Sequence, residues 1–200
     1  VFVVALGFLP AATLVAQTSA EARLSEQFSF GEPFMGIRVL DAKRLAFVRV
    51  DGLAMVELSG LAWDHDENVL YALSDHGRIF HIRLDLADDK LNEVEFIAAF
   101  PLRDPQGRLL RGTSADSEGI ALKNHRNGQP GDTELVISFE REPRVQSFTP
   151  QGHWQSTFAL PETLSNPNGY RSRNKALEGL TIHPRFGVLV APEWPLQTSG

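Results

Sequence analysis

Glutamate stands immediately before a glycine in two matching segments, as Glu118 in Ser117-Glu-Gly-Ile-Ala-Leu122 and as Glu178 in Leu177-Glu-Gly-Leu-Thr-Ile182. A third copy, Leu58-Ser-Gly-Leu-Ala-Trp63, carries Ser59 at that position. Downstream of each copy an apolar run meets a second acid: Asp75, Glu140 and Glu193. Carboxylate oxygens that converge are hard donors, suited to Ca2+ or another divalent cation, which can polarise a phosphoryl or acyl oxygen and acidify a bound water. On this reading Glu118 and Glu178 are the candidate catalytic acids, and Asp75, Glu140 and Glu193 the candidate cation ligands. The competing reading makes Glu118 and Glu178 acceptors for backbone N–H groups of a neighbouring unit, locking a repeat together.

Three cations, Arg141, Arg173 and Lys175, are the candidate groups for binding an anionic substrate, because guanidinium and ammonium groups suit phosphate and carboxylate. Ordinary ion pairs with neighbouring acids are the alternative use for them. Asp64-His-Asp-Glu-Asn68 resembles the opening of a calcium loop but has Val69 where the sixth-position glycine belongs, so it reads as a polar turn. The histidines His65, His76, His81 and His183 lack paired metal spacing and read as surface or turn residues. No G-x-S-x-G elbow, Walker A loop or dinucleotide fingerprint occurs, which disfavours an α/β-hydrolase or a nucleotide enzyme.

The elements that must position these residues repeat. Gly60, Gly119 and Gly179 are 59 and 60 positions apart, and near-constant spacing marks repeated structural units. Each glycine segment is followed by a turn and a β-rich run, as in Val69-Leu-Tyr-Ala-Leu-Ser74 and Leu135-Val-Ile-Ser-Phe139. In the first unit 78–84 alternates, with Phe80, Ile82 and Leu84 on one face, and 94–100 adds a strand. In the second, 144–149 and 154–160 do the same. Four strands per unit is the pattern of a propeller blade. The expected fold is therefore all-β, a β-propeller with about three four-stranded blades, the third ending after about two strands, as a fragment of a larger closed propeller. Residues 28–50 are expected to contribute a strand or two to its last blade. Equivalent positions in successive blades form rings around a central channel, which is how the acids would converge. The units exceed the common propeller repeats in length, and the excess lies in polar loops at 103–115 and 162–175.

The ordered set Leu-Ser-Gly-Leu-Ala-Trp63 with Tyr71-Ala-Leu-Ser-Asp75, then Asp116-Ser-Glu-Gly-Ile, then Asn174-Lys-Ala-Leu-Glu-Gly-Leu180, resembles the phytase-like domain family, also labelled "esterase-like activity of phytase", over residues 53–195. The resemblance implies a β-propeller in a bacterial exported protein. The aspartate-rich calcium signature of the alkaline propeller phytases is not seen in these segments.

Composition bounds the rest. The 200 residues are 42% hydrophobic with a formal charge of -6, enough for a sizeable core and without the general basic surface that nucleic acid requires. Cysteine is absent, which removes disulfides, thiolate nucleophiles and cysteine-bound zinc. Residues 1–20 carry no charge until Glu21 and read as a signal peptide whose n-region lies outside the sequence, with Thr18 and Ala20 at the small-residue cleavage positions. A membrane anchor is the alternative for that stretch, opposed by Pro10 and the polar 17–19. Three regions are expected: the signal at 1–20, N-terminal strands at 21–52 and the partial propeller at 53–200. The expected protein is periplasmic or secreted, with no stable membrane span after signal cleavage. Its expected function is metal-assisted hydrolysis of a small anionic phosphate or carboxylic ester. A non-catalytic propeller that binds a ligand or an envelope protein is the alternative, and a lactonase-like propeller is a third possibility.

Overall fold

A computed structural model describes residues 19–197, so 1–18 of the leader reading lie outside the described residues. The fold is all-β. Six short strands come first: β1 (Ser19–Glu21), β2 (Pro33–Phe34), β3 (Ile37–Arg38), β4 (Lys43–Leu45), β5 (Arg49–Val50) and β6 (Leu53–Ala54). They pair as β1 with β4, β2 with β3 and β5 with β6.

Two antiparallel four-stranded sheets follow, each a simple meander. The first contains β7 (Leu58–Asp64), β8 (Val69–Ser74), β9 (Arg78–Ala87) and β10 (Lys90–Pro101). The second contains β11 (Ser117–Lys123), β12 (Glu134–Phe139), β13 (Arg144–Phe148) and β14 (Trp154–Phe158). A third sheet has two strands, β15 (Leu177–His183) and β16 (Gly187–Pro192). The expected repeat is thus present, with four, four and two strands. The long loops at 103–115 and 162–175 hold single helical turns at Gly112–Ser114, Glu162–Ser165 and Pro167–Gly169.

The second strand of each large sheet is covered on both faces, which explains why β8 and β12 read as nearly continuous apolar runs rather than alternating ones. Leu73, Leu135, Ile137 and Phe139 are fully buried in a cluster shared by the first and second sheets. A second cluster places Phe80, Ile82 and Val94 of the first sheet against Leu45, Val48, Val50 and Leu53 of the N-terminal strands. The third joins Val136 and Val145 of the second sheet to Leu180, Ile182, Val188 and Val190 of the third. The three repeat sheets therefore pack in series, with the N-terminal segment 45–53 against the first. Full burial of each large side chain stabilises by roughly 1.5–3 kcal/mol. The polar 64–68 segment is a turn as expected: Asp64 Oδ1 accepts from the amides of Asp66 and Glu67, and Asn68 takes a φ of 55°.

The first strands of the three sheets stand side by side, β7 beside β11 and β11 beside β15. The repeated glycine has its physical cause here. A Cβ on Gly119 would lie 2.7 Å from Leu180 Cβ and 2.8 Å from the carbonyl oxygen of Glu178. One on Gly60 would lie 2.8 Å from Ile120 Cγ2.

Candidate functional site

The acid before the glycine owes its placement to an irregularity in the sheet. The pairing of the first strand with the second breaks register between Leu58 and Gly60, between Ser117 and Ile120, and between Leu177 and Gly179. Ser59, Glu118 and Glu178 sit in these breaks. A bulge removes a residue from the ladder and re-aims its side chain, and bulges are frequent beside functional sites. A second repeated device fixes the downstream acid. The backbone N–H groups of Asp75, Glu140 and Glu193 donate to the carbonyls of Glu57, Asp116 and Ala176 respectively, at 3.1, 2.9 and 2.8 Å. Each acceptor lies three residues before its repeat glycine, so the three units are built to one plan at this end.

The consequence is a continuous group of carboxylates supplied by the second and third units. Asp116, Glu118 and Glu140 offer oxygens within 4.8 Å of one another, and so do Glu140, Glu178 and Glu193. Glu140 is the shared member. It is buried, and its Oε1 accepts a 3.2 Å hydrogen bond from the amide of Ala176. The locking role that the sequence offered to Glu118 and Glu178 therefore falls to Glu140. Glu118 and Glu178 make no side-chain hydrogen bond or ion pair among the described residues.

Charge crowding and burial disturb their titration. Burial, then the Glu178, Glu140, Asp116 and Asp75 carboxylates, push Glu118 up to about 8. Glu140 is pushed up to about 7, by burial first and then by Asp116 and Glu178, against the lowering effect of the Ala176 amide and Lys175. Glu178 is raised by burial and Glu193, with Lys175 opposing. Asp75 is raised too, chiefly by burial.

Of the expected cation ligands, Glu140 and Glu193 are brought together, with Glu178 as the third member. Asp75 is grouped instead with Glu57 and His76, where His76 Nε2 lies 2.6 Å from Glu57 Oε2 and 3.9 Å from Asp75 Oδ1. Asp75 Oδ1 and Asp116 Oδ2 are buried and accept no hydrogen bond, although Asp116 Oδ2 has Arg141 Nε at 3.1 Å. Among the expected anion-binding cations, Arg141 adjoins the carboxylates through that pair. Lys175 is bound by both oxygens of Glu193 at 2.8 and 2.7 Å, and this contact raises its proton affinity. Arg173 is exposed and makes no hydrogen bond or ion pair among the described residues. His81 is drawn inward, contrary to its surface reading: a ring nitrogen lies 2.9 Å from the Pro150 carbonyl oxygen, and burial lowers its proton affinity.

Sequence reasoning missed Asp116, Glu57 and Asn174 as members of this region. The available signal was positional, since Glu57 and Asp116 both lie three residues before a repeat glycine. The donor set fits a divalent cation: all-oxygen, anionic, partly buried, with Glu118 and Glu178 uncommitted to protein donors. Such residues could hold a cation at Glu140, Glu178 and Glu193 or at Asp116, Glu118 and Glu140.

A comparison with curated proteins finds no match. Residues 54–200 match the family described as "Phytase-like: Esterase-like activity of phytase". The matched span contains all three glycine units and every carboxylate of the two overlapping groups, and the chain belongs to this phytase-like family.

Proposed function

We propose that the chain is an exported, cation-assisted hydrolase of small anionic phosphate or carboxylic esters, built on blades of a larger closed β-propeller. The observation that carries the catalytic reading is the delivery of Asp116, Glu118, Glu140, Glu178 and Glu193 from two units into two overlapping groups with oxygens within 4.8 Å. The family description supports ester hydrolysis as the reaction class.

The propeller reading rests on the packing of like strands. Gly60 and Gly119 are each pressed by the next unit, whereas an added Cβ at Gly179 would meet Ala191 of its own sheet at ordinary contact distances, 3.6 Å from its Cβ and 3.9 Å from its carbonyl oxygen. A further blade against β15 accounts for glycine there. The acidic charge balance of -6 supports a partner other than nucleic acid. The uncharged leader supports a periplasmic or secreted location.

Glu140, Glu178 and Glu193 would hold the cation, with Asp116 adjoining them through Glu140. When bound, a divalent cation supplies charge that polarises the ester's phosphoryl or acyl oxygen and acidifies a water. Glu118, whose side chain makes no hydrogen bond among the described residues, takes the proton of the attacking water and returns it to the leaving oxygen, so that ester and water become acid and alcohol. Arg141 orients the anionic group. Lys175 acts indirectly, balancing Glu193 rather than gripping substrate.

The test measures Ca2+ and Mg2+ binding by calorimetry, together with hydrolysis of phytate, p-nitrophenyl phosphate and p-nitrophenyl acetate. The expected outcome is turnover that requires a divalent cation and disappears with chelator. Absence of turnover on all three with either ion would refute the hydrolase reading and leave a ligand-binding propeller.

A further inference from the structure

Arg141 is held from two sides by residues that lead into two different sheets. Its Nε lies 3.1 Å from Asp116 Oδ2, and its Nη2 donates a 2.7 Å hydrogen bond to Asn174 Oδ1. Asp116 precedes β11 and Asn174 precedes β15, while Arg141 follows β12. The Nη1 group makes no hydrogen bond or ion pair among the described residues, and the side chain is about half exposed. A guanidinium carries five N–H donors in one plane, arranged as a fork. With one Nη2 hydrogen bonded to Asn174, and Asp116 Oδ2 facing Nε as a charge partner rather than as a hydrogen-bond acceptor, the Nη1 end of the fork is left for an oxyanion. Asn174 fixes the group without cancelling its charge, because an amide oxygen accepts a hydrogen bond but is neutral.

We infer that Asn174 is a positioning residue, which together with Asp116 sets Arg141 as the anion-binding arm beside the carboxylate site, for a phosphate or carboxylate group. The place of this arm in catalysis rests on the hydrolase reading; the binding of an anion does not. Lys175 is committed to Glu193, and Arg173 makes no hydrogen bond or ion pair among the described residues that would aim it, so neither substitutes for Arg141.

Calorimetric titration of inorganic phosphate and, separately, succinate into the full chain in Mg2+ buffer tests the assignment and compares the two anion classes. Asn174→Ala and Arg141→Lys are each expected to weaken binding of the preferred anion about ten-fold, the lysine because it keeps charge but loses the fork. Asn174→Asp is expected to weaken it further by adding negative charge. Arg173→Ala is expected to change nothing. In all four variants the affinity for Mg2+ and the Tm stay at the wild-type values. Binding of both anions by Asn174→Ala at wild-type strength would overturn the inference, as would an equal loss of Mg2+ affinity or a wild-type chain that binds neither anion. If Asn174→Ala does not fold, the half-exposed Arg141→Lys decides. Anion binding that depends on Asn174 in a chain without turnover would keep this inference and remove the hydrolase. Turnover with anion binding indifferent to Asn174 would do the reverse.

Discussion

The first and second units place different residues at the same bulge, and the structure uses them differently. Ser59 donates its hydroxyl to the Ser117 carbonyl at 2.7 Å, stitching the first unit to the second. Glu118, at the equivalent position, makes no side-chain hydrogen bond among the described residues and is pushed up to about 8 by burial and four neighbouring carboxylates. One backbone irregularity thus serves as a stitch in one unit and as the display of a carboxyl without a side-chain hydrogen bond in the next. The surrounding acids follow the same division. Asp75 of the first unit lies in the group with Glu57 and His76, whereas Glu140 of the second joins Asp116 and Glu118 on one side and Glu178 and Glu193 on the other. Repetition supplies the scaffold, and departures from repetition mark the site.

The largest expected effect tests that contrast directly. Glu118→Gln keeps shape but cannot exchange the proton, and kcat is expected to fall by about 10²–10⁴. Ser59→Ala is expected to leave kcat unchanged while lowering the Tm by about 2–4 °C, since one hydrogen bond contributes about 1 kcal/mol. Steady-state kinetics beside thermal melts separates the two. A similar kcat loss in both variants would erase the distinction between stitch and display.

The glycines come next. Gly119→Ala drives a methyl into backbone and Leu180 Cβ, and overpacking of this kind is expected to cost about 1–3 kcal/mol. Gly179→Ala meets Ala191 Cβ at an ordinary 3.6 Å and is expected to stay within about 0.5 kcal/mol. Denaturant unfolding of both variants measures the difference. With a further repeat unit packed against β15, Gly179→Ala would become as costly as Gly119→Ala.

A smaller effect concerns pH. The folded state raises the proton affinity of Glu118 above its ordinary 4.5 to about 8, and that of Glu140 to about 7. Their protonated forms favour folding, so this stabilisation is full below about pH 4.5 and is lost as pH rises through 7 and 8. The Tm of the cation-free chain is expected to fall between pH 5 and 8, with a shallower fall for Glu118→Gln. Equal slopes in a pH series of melts would show that Glu118 is not under the strain assigned to it.

Much of this was legible in the chain because its causes are local. Alternation at 78–84, the unbroken apolar run Val69-Leu-Tyr-Ala-Leu-Ser74 and the turn chemistry at Asp64-His-Asp-Glu-Asn68 report strands and turns through neighbouring residues. The spacing of Gly60, Gly119 and Gly179 reported the repeat. Those features determined an all-β chain of similar units in the phytase-like family, and they singled out Glu118, Glu178, Glu140 and Glu193. Only the tertiary structure decided which acids meet, because convergence depends on how one sheet lies against the next. It separated Asp75 from Glu140 and Glu193, added Asp116 three residues ahead of Gly119, and gave the locking hydrogen bond to Glu140 through the Ala176 amide. It also sorted three similar cations by their partners: Lys175 is held by Glu193, Arg141 is set between Asp116 and Asn174, and Arg173 makes no hydrogen bond or ion pair among the described residues. Residue type fixes which charges a side chain can carry, but its proton affinity and its free donors depend on neighbours distant in sequence, and those are set by packing.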